Sequence, residues 1–399
     1  MRVTQSLNQT QFLTAIDALE SNISQTQNQV SSGLAFTTPA QDPIAAGAVS
    51  NYDQALAQSN QYTANGNSAQ SSLQTEESTL TQVQDQLQSL RSLALEANSG
   101  TQSSADLSAL AQQASQIQST LLSLANTQNA GGGYIFGGFA AQTQPFAATA
   151  GGASYAGDQG SPQVQIAAGQ TIAAGDNGDA VFNQIKTGNG SFTVTANAAN
   201  TGSGLIGAAT VSGDASYAGG AYTINFTAAN AYQVLDAGSN VVASGTYTSG
   251  QAITFAGAQV TLSGAPAAGD SFSVAPSTNQ SLFTTVQNLV NAIQTASSGN
   301  TGGSTSLNNS IAGALNDLSQ AISHTSSVQS SVGDRLNTIT TQQSLAVSQQ
   351  TQLQKSISAL QGLNYAGAIT TLDTQNTTLS AALQAYTQTQ GLSLFKFIS

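Results

Sequence analysis

Large apolar residues recur at both ends of the chain with spacings of three and four, the pattern of an amphipathic helix that packs on a partner helix. The pattern predicts one helix from about Thr4 to Ser31, ended by Gly33, and another from Ile369 onward. Asn376 falls in the predicted seam, where a polar side chain can set coiled-coil register. The predicted assembly interface consists of Phe12, Ile16, Leu19, Ile23, Val30, Ile369, Leu372, Asn376, Leu379, Leu383, Tyr386, Leu392, Leu394 and Phe395.

Heptad-spaced apolar residues also predict two long helical segments between these ends. The first starts at Asp42-Pro43, a suitable cap and first turn, and runs to Asn98, where Asn98-Ser99-Gly100 stops it. The second runs from about Ile311 to Gly362. Both are far longer than the usual helix of ~11–12 residues in globular proteins. The pattern therefore indicates extended helical rods.

Between about Gly131 and Pro276 the helical period gives way to short alternating runs separated by glycine and asparagine turns. Alternation is clearest in 191–195, 222–226 and 257–262, and it predicts antiparallel sandwich or barrel modules, either one or two. The predicted fold class is α+β multidomain. A long α-helical coiled coil or bundle is formed by the N- and C-terminal segments, with an inserted antiparallel β domain at the tip.

Three domains follow from this layout, since a β domain inserted into a helical hairpin brings the chain ends together. We expect a terminal coiled-coil core domain of residues 1–45 and 360–399, a helical rod domain of residues 46–133 and 280–359, and a β-rich outer domain of residues 134–279.

Charge and composition exclude several kinds of partner. The chain has 399 residues, with 6 Lys and Arg against 18 Asp and Glu, for a net charge of −12. Nucleic acid and anionic membrane surfaces need clustered cations and are therefore not expected as partners. No apolar run is long enough to span a membrane. Cysteine is absent, and the N-terminus lacks the apolar core of a cleavable signal peptide, so export would need another route.

Candidate chemistry is sparse. His324 is the only histidine, so neither a histidine-based triad nor a usual zinc site can be assembled. Glu76 lies on the apolar seam and is expected to meet an arginine such as Arg91 or Arg335, or a neighbouring subunit. The segment 176–179 is predicted to be a hairpin turn rather than a calcium loop. We therefore predict no catalytic, cofactor or metal site, and no enzymatic activity.

Several short motifs occur in an order that resembles a known family. Four are Gln29–Gly33 (QVSSG), Asp42–Ala46 (DPIAA), Asn98–Thr101 (NSGT) and Leu124–Thr127 (LANT); two more are Tyr134–Phe139 (YIFGGF), followed by Thr143–Phe146 (TQPF), and Gln390–Phe395 (QGLSLF). The first four resemble the flagellin superfamily. The last two are similar to its hook–filament junction family. The resemblance covers about residues 1–146 and 305–399.

The resemblance implies an extracellular structural protein of the bacterial flagellum, at the hook–filament junction. It implies a short ring of identical subunits between hook-associated protein 1 and the flagellin filament. It further implies export through the flagellar type III pathway, with an export chaperone covering the C-terminal helix. We expect the terminal helices to pair on assembly. The alternatives are flagellin itself, a secreted adhesin that uses the β domain, and, less favoured, a helical autotransporter-like stalk.

Overall fold

The computed structural model describes residues 2–212, 217–298 and 303–398, with their side chains except at 2–5, 8, 303, 304 and 389–398. The chain divides into two compact units, Met1–Ala64 with Gln342–Ser399, and Asn65–Thr341. The predicted fold class is confirmed, because N- and C-terminal helical segments enclose a central antiparallel β region. The predicted bounds of the three domains stay a prediction.

The helices begin and end where local hydrogen bonds and glycine allow. Asp42 accepts a hydrogen bond from the amide of Ala45 at 2.9 Å and so caps the first long helix. Ser103 and Asp106 form a capping box at the start of the next. The helices are α1 (Arg2–Ser32), α2 (Pro43–Ala97), α3 (Ser104–Ala125), α4 (Leu282–Ser297), α5 (Gly303–Gln361) and α6 (Tyr365–Ile398).

The β region forms short antiparallel hairpins and two larger sheets. Among the described residues the larger sheets have the orders β10-β9-β8-β13-β6 and β11-β12-β7. The strands are β1 (Phe146–Thr149), β2 (Gly152–Tyr155), β3 (Gln163–Ala167), β4 (Gln170–Ala173), β5 (Ile185–Lys186), β6 (Phe192–Ala196), β7 (Leu205–Val211), β8 (Tyr222–Ala228), β9 (Ala231–Asp236), β10 (Val241–Thr246), β11 (Ala252–Phe255), β12 (Ala258–Ser263), β13 (Ser271–Pro276) and β14 (Asn279–Gln280).

The unit Asn65–Thr341 contains two apolar cores. One joins α2, α3, α4 and α5 to the first β hairpins. At its centre Phe182 meets Phe136 edge-on, with ring centroids 5.0 Å apart, and Phe146 lies 5.1 Å from Phe283. The other core lies between the two larger sheets and includes Phe192, Phe226, Phe272, Val260 and Leu262. The β region therefore has one part built onto the helices and one sandwich with its own core.

Polar side chains of α5 hold this sandwich within the unit. The side-chain oxygen of Asn309 accepts from the amide of Ile206 at 2.8 Å, and its nitrogen donates to the carbonyl of Gly204 at 2.9 Å. Two turns further on, Asp317 accepts from the amide of Gly188 at 2.6 Å. Asn309 is buried, so both of its bonds replace contacts with water.

The prediction of a hairpin turn at 176–179 is wrong. Asp176 lies in a connecting segment between β4 and a short π-helix, Asp179–Asn183, and it pairs with Arg335 of α5 instead of closing a hairpin. α5 also contacts the π-helix, because Nε2 of His324 lies 2.8 Å from the carbonyl oxygen of Ala180.

Membrane-spanning helices and metal-binding clusters are both absent from the described part of the chain. No helix there has both the length and the apolarity needed to cross a membrane. Nor do the described residues bring together three or more histidine, cysteine or acidic side chains that could hold a metal ion.

Candidate assembly surface

The two terminal helices, α1 and α6, lie antiparallel in the unit Met1–Ala64 with Gln342–Ser399. The ring of Phe12 stacks on that of Tyr386, with centroids 5.2 Å apart and planes at 16°. Nearer the other end of the pair, the hydroxyl of Thr26 donates to the side-chain oxygen of Gln375 at 3.0 Å. Residue numbers therefore rise along α1 as they fall along α6.

A short backbone bridge closes one end of this pair. The amide of Ala35 donates to the carbonyl of Gln361 at 2.7 Å, and the amide of Leu363 donates to the carbonyl of Gly33 at 3.0 Å. Gly33 has a φ of 73°, and a Cβ there would lie 2.7 Å from the Tyr365 hydroxyl oxygen. Glycine is thus favoured here by the left-handed backbone, and a larger residue would also displace the Tyr365 side chain.

On α1 the structure places the predicted seam residues against α6. Ile16 and Ile23 are buried, and Thr26, at the seam position between Ile23 and Val30, is buried as well. The remaining predicted positions are partly buried, namely Phe12, Leu19 and Val30. The spacing of these six residues alternates between four and three, as a two-helix seam requires. Their use between copies of the chain stays a prediction.

On α6 every second seam position is occupied by the residue one place before the predicted one. Leu372, Leu379 and Tyr386 are partly buried, but Ile369, Asn376 and Leu383 are exposed. Their places in the seam are taken by the preceding residues, which are Ala368, Gln375 and Ala382.

The placement of Asn376 in the seam of the single chain is therefore corrected: Gln375 is the seam amide. Both heptad assignments share Leu372, Leu379 and Tyr386, so the sequence period cannot choose between them. The larger apolar side chains favoured the wrong assignment. The smaller Ala368 and Ala382 fill the positions that face α1.

The predicted tip residues Leu392, Leu394 and Phe395 lie outside the residues whose side chains are described, and their part in the interface stays a prediction.

The displaced seam leaves an apolar flank on the helix pair. Each heptad places two residues in the seam, and the residue directly after the second of them lies beside the seam. In an antiparallel pair, these residues of both helices lie on the same side of the pair. We call this set the exposed flank: Leu13, Glu20 and Gln27 of α1, with Ile369, Asn376 and Leu383 of α6. Leu13 and Leu383 are each 44% exposed, and Ile369 is 49% exposed. Burying the exposed part of each would contribute on the order of 1 kcal/mol.

Exposed apolar side chains are concentrated in the unit that contains this pair. Most of the large apolar residues that are strongly exposed in the described part of the chain belong to it, although it holds under a third of the residues. They are Leu7, Leu13, Ile44, Leu345, Val347, Tyr365, Ile369 and Leu383. Isolated exposed leucines are ordinary, and three of these residues, Leu13, Ile369 and Leu383, belong to the exposed flank.

The chain shares terminal helical segments and a central antiparallel β region with flagellar proteins of known structure, and residues 3–141 match the family model for the bacterial flagellin N-terminal helical region. A crystal structure of FlgL from Xanthomonas campestris superposes with a TM-score of 0.71 and 32% identity, covering 77% of this chain and 99% of that one. The flagellar junction protein FlgL from Legionella pneumophila gives a TM-score of 0.71 and 28% identity, covering 79% and 100%.

Among curated sequences, flagellar hook-associated protein 3 of Escherichia coli is 36% identical over 157 residues, which are 39% of this chain and 49% of that protein. The chain thus spans about half the length of this curated relative. The chain belongs to the flagellar hook-associated protein 3 (FlgL) family, a family of structural flagellar proteins.

Proposed function

We propose that this chain is a structural junction protein of the bacterial flagellum, which polymerises as a short ring between hook-associated protein 1 and the flagellin filament. The observation that supports this is the antiparallel α1–α6 pair with its exposed flank, found in a chain that resembles nearly the whole of one crystallised FlgL chain. The proposed role requires no catalysis.

The exposed flank is the proposed contact between neighbouring copies. Asp17 and Asp373, the other charged side chains described on the two helices, lie outside the flank, and the flank itself carries one charged residue, Glu20. Desolvating such a surface costs less than desolvating paired charges, so copies can pack closely. Leu13, Ile369 and Leu383 then become buried, and the ring is stabilised by their removal from water.

The three predicted domains correspond to separate tasks in this proposal. Residues 1–45 and 360–399 form the contacts around the ring, residues 46–133 and 280–359 transmit load along the helices, and residues 134–279 form the outer domain. Before assembly, the chain is exported through the flagellar type III pathway, and a chaperone covers the C-terminal helix until the terminal helices pair.

Removing residues 369–399 in the native organism tests the proposal. We expect the hook to form, flagellin to be released into the medium, and motility to be lost. A full-length variant with Leu13→Gln and Leu383→Gln should show the same defect, whereas Thr378→Gln on the opposite side of α6 should not. Normal filaments in cells lacking residues 369–399 would contradict the junction role.

Flagellin is the remaining structural alternative, and purified protein separates the two. Long filaments from the pure chain would favour a filament subunit, whereas monomers or short oligomers are expected of a junction protein.

A further inference from the structure

Glu76 is a carboxyl group in the middle of an apolar core. It lies on the buried face of α2 and is 1% exposed, with Leu73 and Leu80 of the same face fully buried. Neither of its oxygens has a hydrogen-bond partner of ordinary geometry among the described residues. A buried carboxylate without partners is strongly destabilising, so the group is expected to be neutral or to share its charge with neighbours.

Two charged groups face Glu76, from two different elements. Arg335 of α5 pairs with Asp176 of the segment that follows β4, and a second nitrogen of Arg335 donates to the carbonyl of Ala173 at 3.3 Å. The Glu76 carboxyl adjoins this segment, since a Cβ on Gly175 would lie 3.7 Å from its Oε2. The described residues show an ion pair from Arg335 to Asp176 but none from Arg335 to Glu76.

The charges at this site do not balance unless a proton is bound. Two carboxylates beside one guanidinium would leave an uncompensated negative charge in the core. Burial raises the pKa of Glu76 well above its usual value, the negative charge of Asp176 raises it further, and Arg335 opposes both. A proton on Glu76 removes the excess charge and supplies a donor directed at Asp176.

We propose that Glu76 and Asp176 form a proton-binding pair, in which Glu76 keeps its proton at neutral pH and shares it with the carboxylate of Asp176 that Arg335 holds. The ligand is one proton, taken from water and returned to water. The pair joins α2, α5 and the segment 174–178, which leads into the π-helix. When the proton leaves, the two carboxylates repel each other and the segment 174–178 separates from α2.

The sign of the pH dependence follows from the raised pKa. The protonated pair stabilises the fold fully below the ordinary carboxyl pKa of about 4.3, and this contribution is lost as pH rises through the folded-state pKa of Glu76. Between those two values the unfolding equilibrium constant should rise by up to about tenfold per pH unit. The region therefore loosens toward alkaline pH.

Denaturant unfolding of the full chain as a function of pH tests this linkage. Glu76→Gln keeps the shape of the side chain but cannot ionise, so it should abolish this part of the pH dependence and be the more stable form at alkaline pH. The matched control is Glu77→Gln, which changes the neighbouring, partly exposed carboxyl and should leave the dependence intact. Asp176→Asn removes the carboxylate that adds to the effect of burial and leaves Arg335 to oppose burial alone, so it should weaken the dependence without abolishing it.

Infrared spectroscopy of the full chain tests the proton itself. All variants carry Asp317→Asn, because Asp317 also has a pKa raised by burial. At neutral pH the carbonyl band of a protonated carboxylic acid should be present with Glu76 and with Glu77→Gln, and absent with Glu76→Gln. Absence of that band from the Glu76 protein would overturn the proposal, whether or not the variants fold. An unchanged pH dependence in Glu76→Gln would overturn it as well.

Discussion

Phe12 and Tyr386 lie 374 positions apart in the chain, yet their rings stack at 5.2 Å with nearly parallel planes. The side-chain nitrogen of Gln9 also donates to the hydroxyl of Tyr386 at 3.2 Å. This contact ties the two chain ends to each other within one copy. The terminal helices can therefore pair before assembly, and a second copy would then meet a helix pair with its seam already formed.

A double-mutant cycle measures this contact. Phe12→Ala and Tyr386→Ala should each lower the protection of α1 amides from hydrogen exchange in the full chain. Their coupling should be about 0.5–1.5 kcal/mol, the usual value for an aromatic pair. Thr387→Ala, at the exposed next position, serves as the control and should have little effect. Strictly additive effects of the two alanines would show that the rings do not interact in solution.

Replacing Gln375 and Asn376 separately tests the corrected seam. Gln375→Ala removes the acceptor of the Thr26 hydroxyl, which retains only its bond to the carbonyl of Asn22. We expect a loss of about 0.5–1.5 kcal/mol in the stability of the helix pair, measured by hydrogen exchange of α1. Asn376→Ala changes an exposed side chain and should cost less than about 0.5 kcal/mol. The reverse ranking would restore Asn376 to the seam.

The absence of cysteine makes the exposed flank directly measurable, because a single introduced thiol is the only one in the chain. Leu383→Cys places it on the flank, and Thr378→Cys places it on the opposite side of α6. Purified protein is concentrated in ammonium sulfate, which strengthens apolar burial, and the rate of maleimide labelling is compared with that of the monomer. At least a tenfold decrease is expected for the thiol at 383 and little change for that at 378.

Three other outcomes of the labelling experiment would contradict a specific contact between copies through the exposed flank. Equal protection at both positions would indicate general burial without a specific flank. Continued labelling at 383 in the oligomer would place the contact elsewhere on the chain. If the protein stays monomeric, contact between copies through this flank is excluded, and the junction role then rests on the deletion experiment in cells.

Asn309 should be essential for holding the sandwich onto α5. Asn309→Ala leaves the amide of Ile206 and the carbonyl of Gly204 without their side-chain partner in a buried place, at a cost of about 1–3 kcal/mol. Hydrogen exchange should report this first in β7. Asn316→Ala, an exposed position on the same helix, is the matched control. Unchanged protection of β7 would mean that apolar contacts alone hold the sandwich.

Periodicity in the sequence was sufficient for the architecture but not for the side-chain placement. Heptad spacing predicted the long helices, since those helices are regular over many turns. It gave the bounds of α2 to within a residue, but the predicted start of α5 at Ile311 is eight residues later than the observed start at Gly303. It could not separate Asn376 from Gln375, because both lie on a stripe that contains Leu372 and Leu379. That choice depends on how closely α6 approaches α1, which is a property of the folded pair.

The polar contacts were least predictable, because they join residues far apart in the chain. Glu76 was expected to meet an arginine, and Arg335 does lie nearby, but the intervening Asp176 was assigned to a turn. Nothing in the sequence marked Asn309 as a buried contact, since it is one of many asparagines on helices with polar faces. A buried carboxyl in an apolar stripe was the one sequence feature that pointed to such a site.

Asp317 forms a second pH-dependent contact, in which one substitution can remove the charge alone and another can remove the charge together with the hydrogen-bond acceptor. Burial raises the pKa of this carboxyl, and the amide of Gly188 that donates to it partly offsets the effect. Its stabilising contribution is therefore present below the unfolded-state pKa of about 3.9 and is lost as pH rises through the folded-state pKa. Asp317→Asn keeps an acceptor for Gly188 without a charge, and should stabilise the fold at neutral and alkaline pH.

Asp317→Ala removes the acceptor together with the charge, and this contrast decides the interpretation. It should leave the amide of Gly188 unpaired and destabilise the fold by about 1–3 kcal/mol. Both variants should flatten the pH dependence of denaturant unfolding in the acidic range, because neither can take up the proton. If Asp317→Asn were as destabilising as Asp317→Ala, the negative charge itself would be stabilising, and the assigned direction of the pKa shift would be wrong.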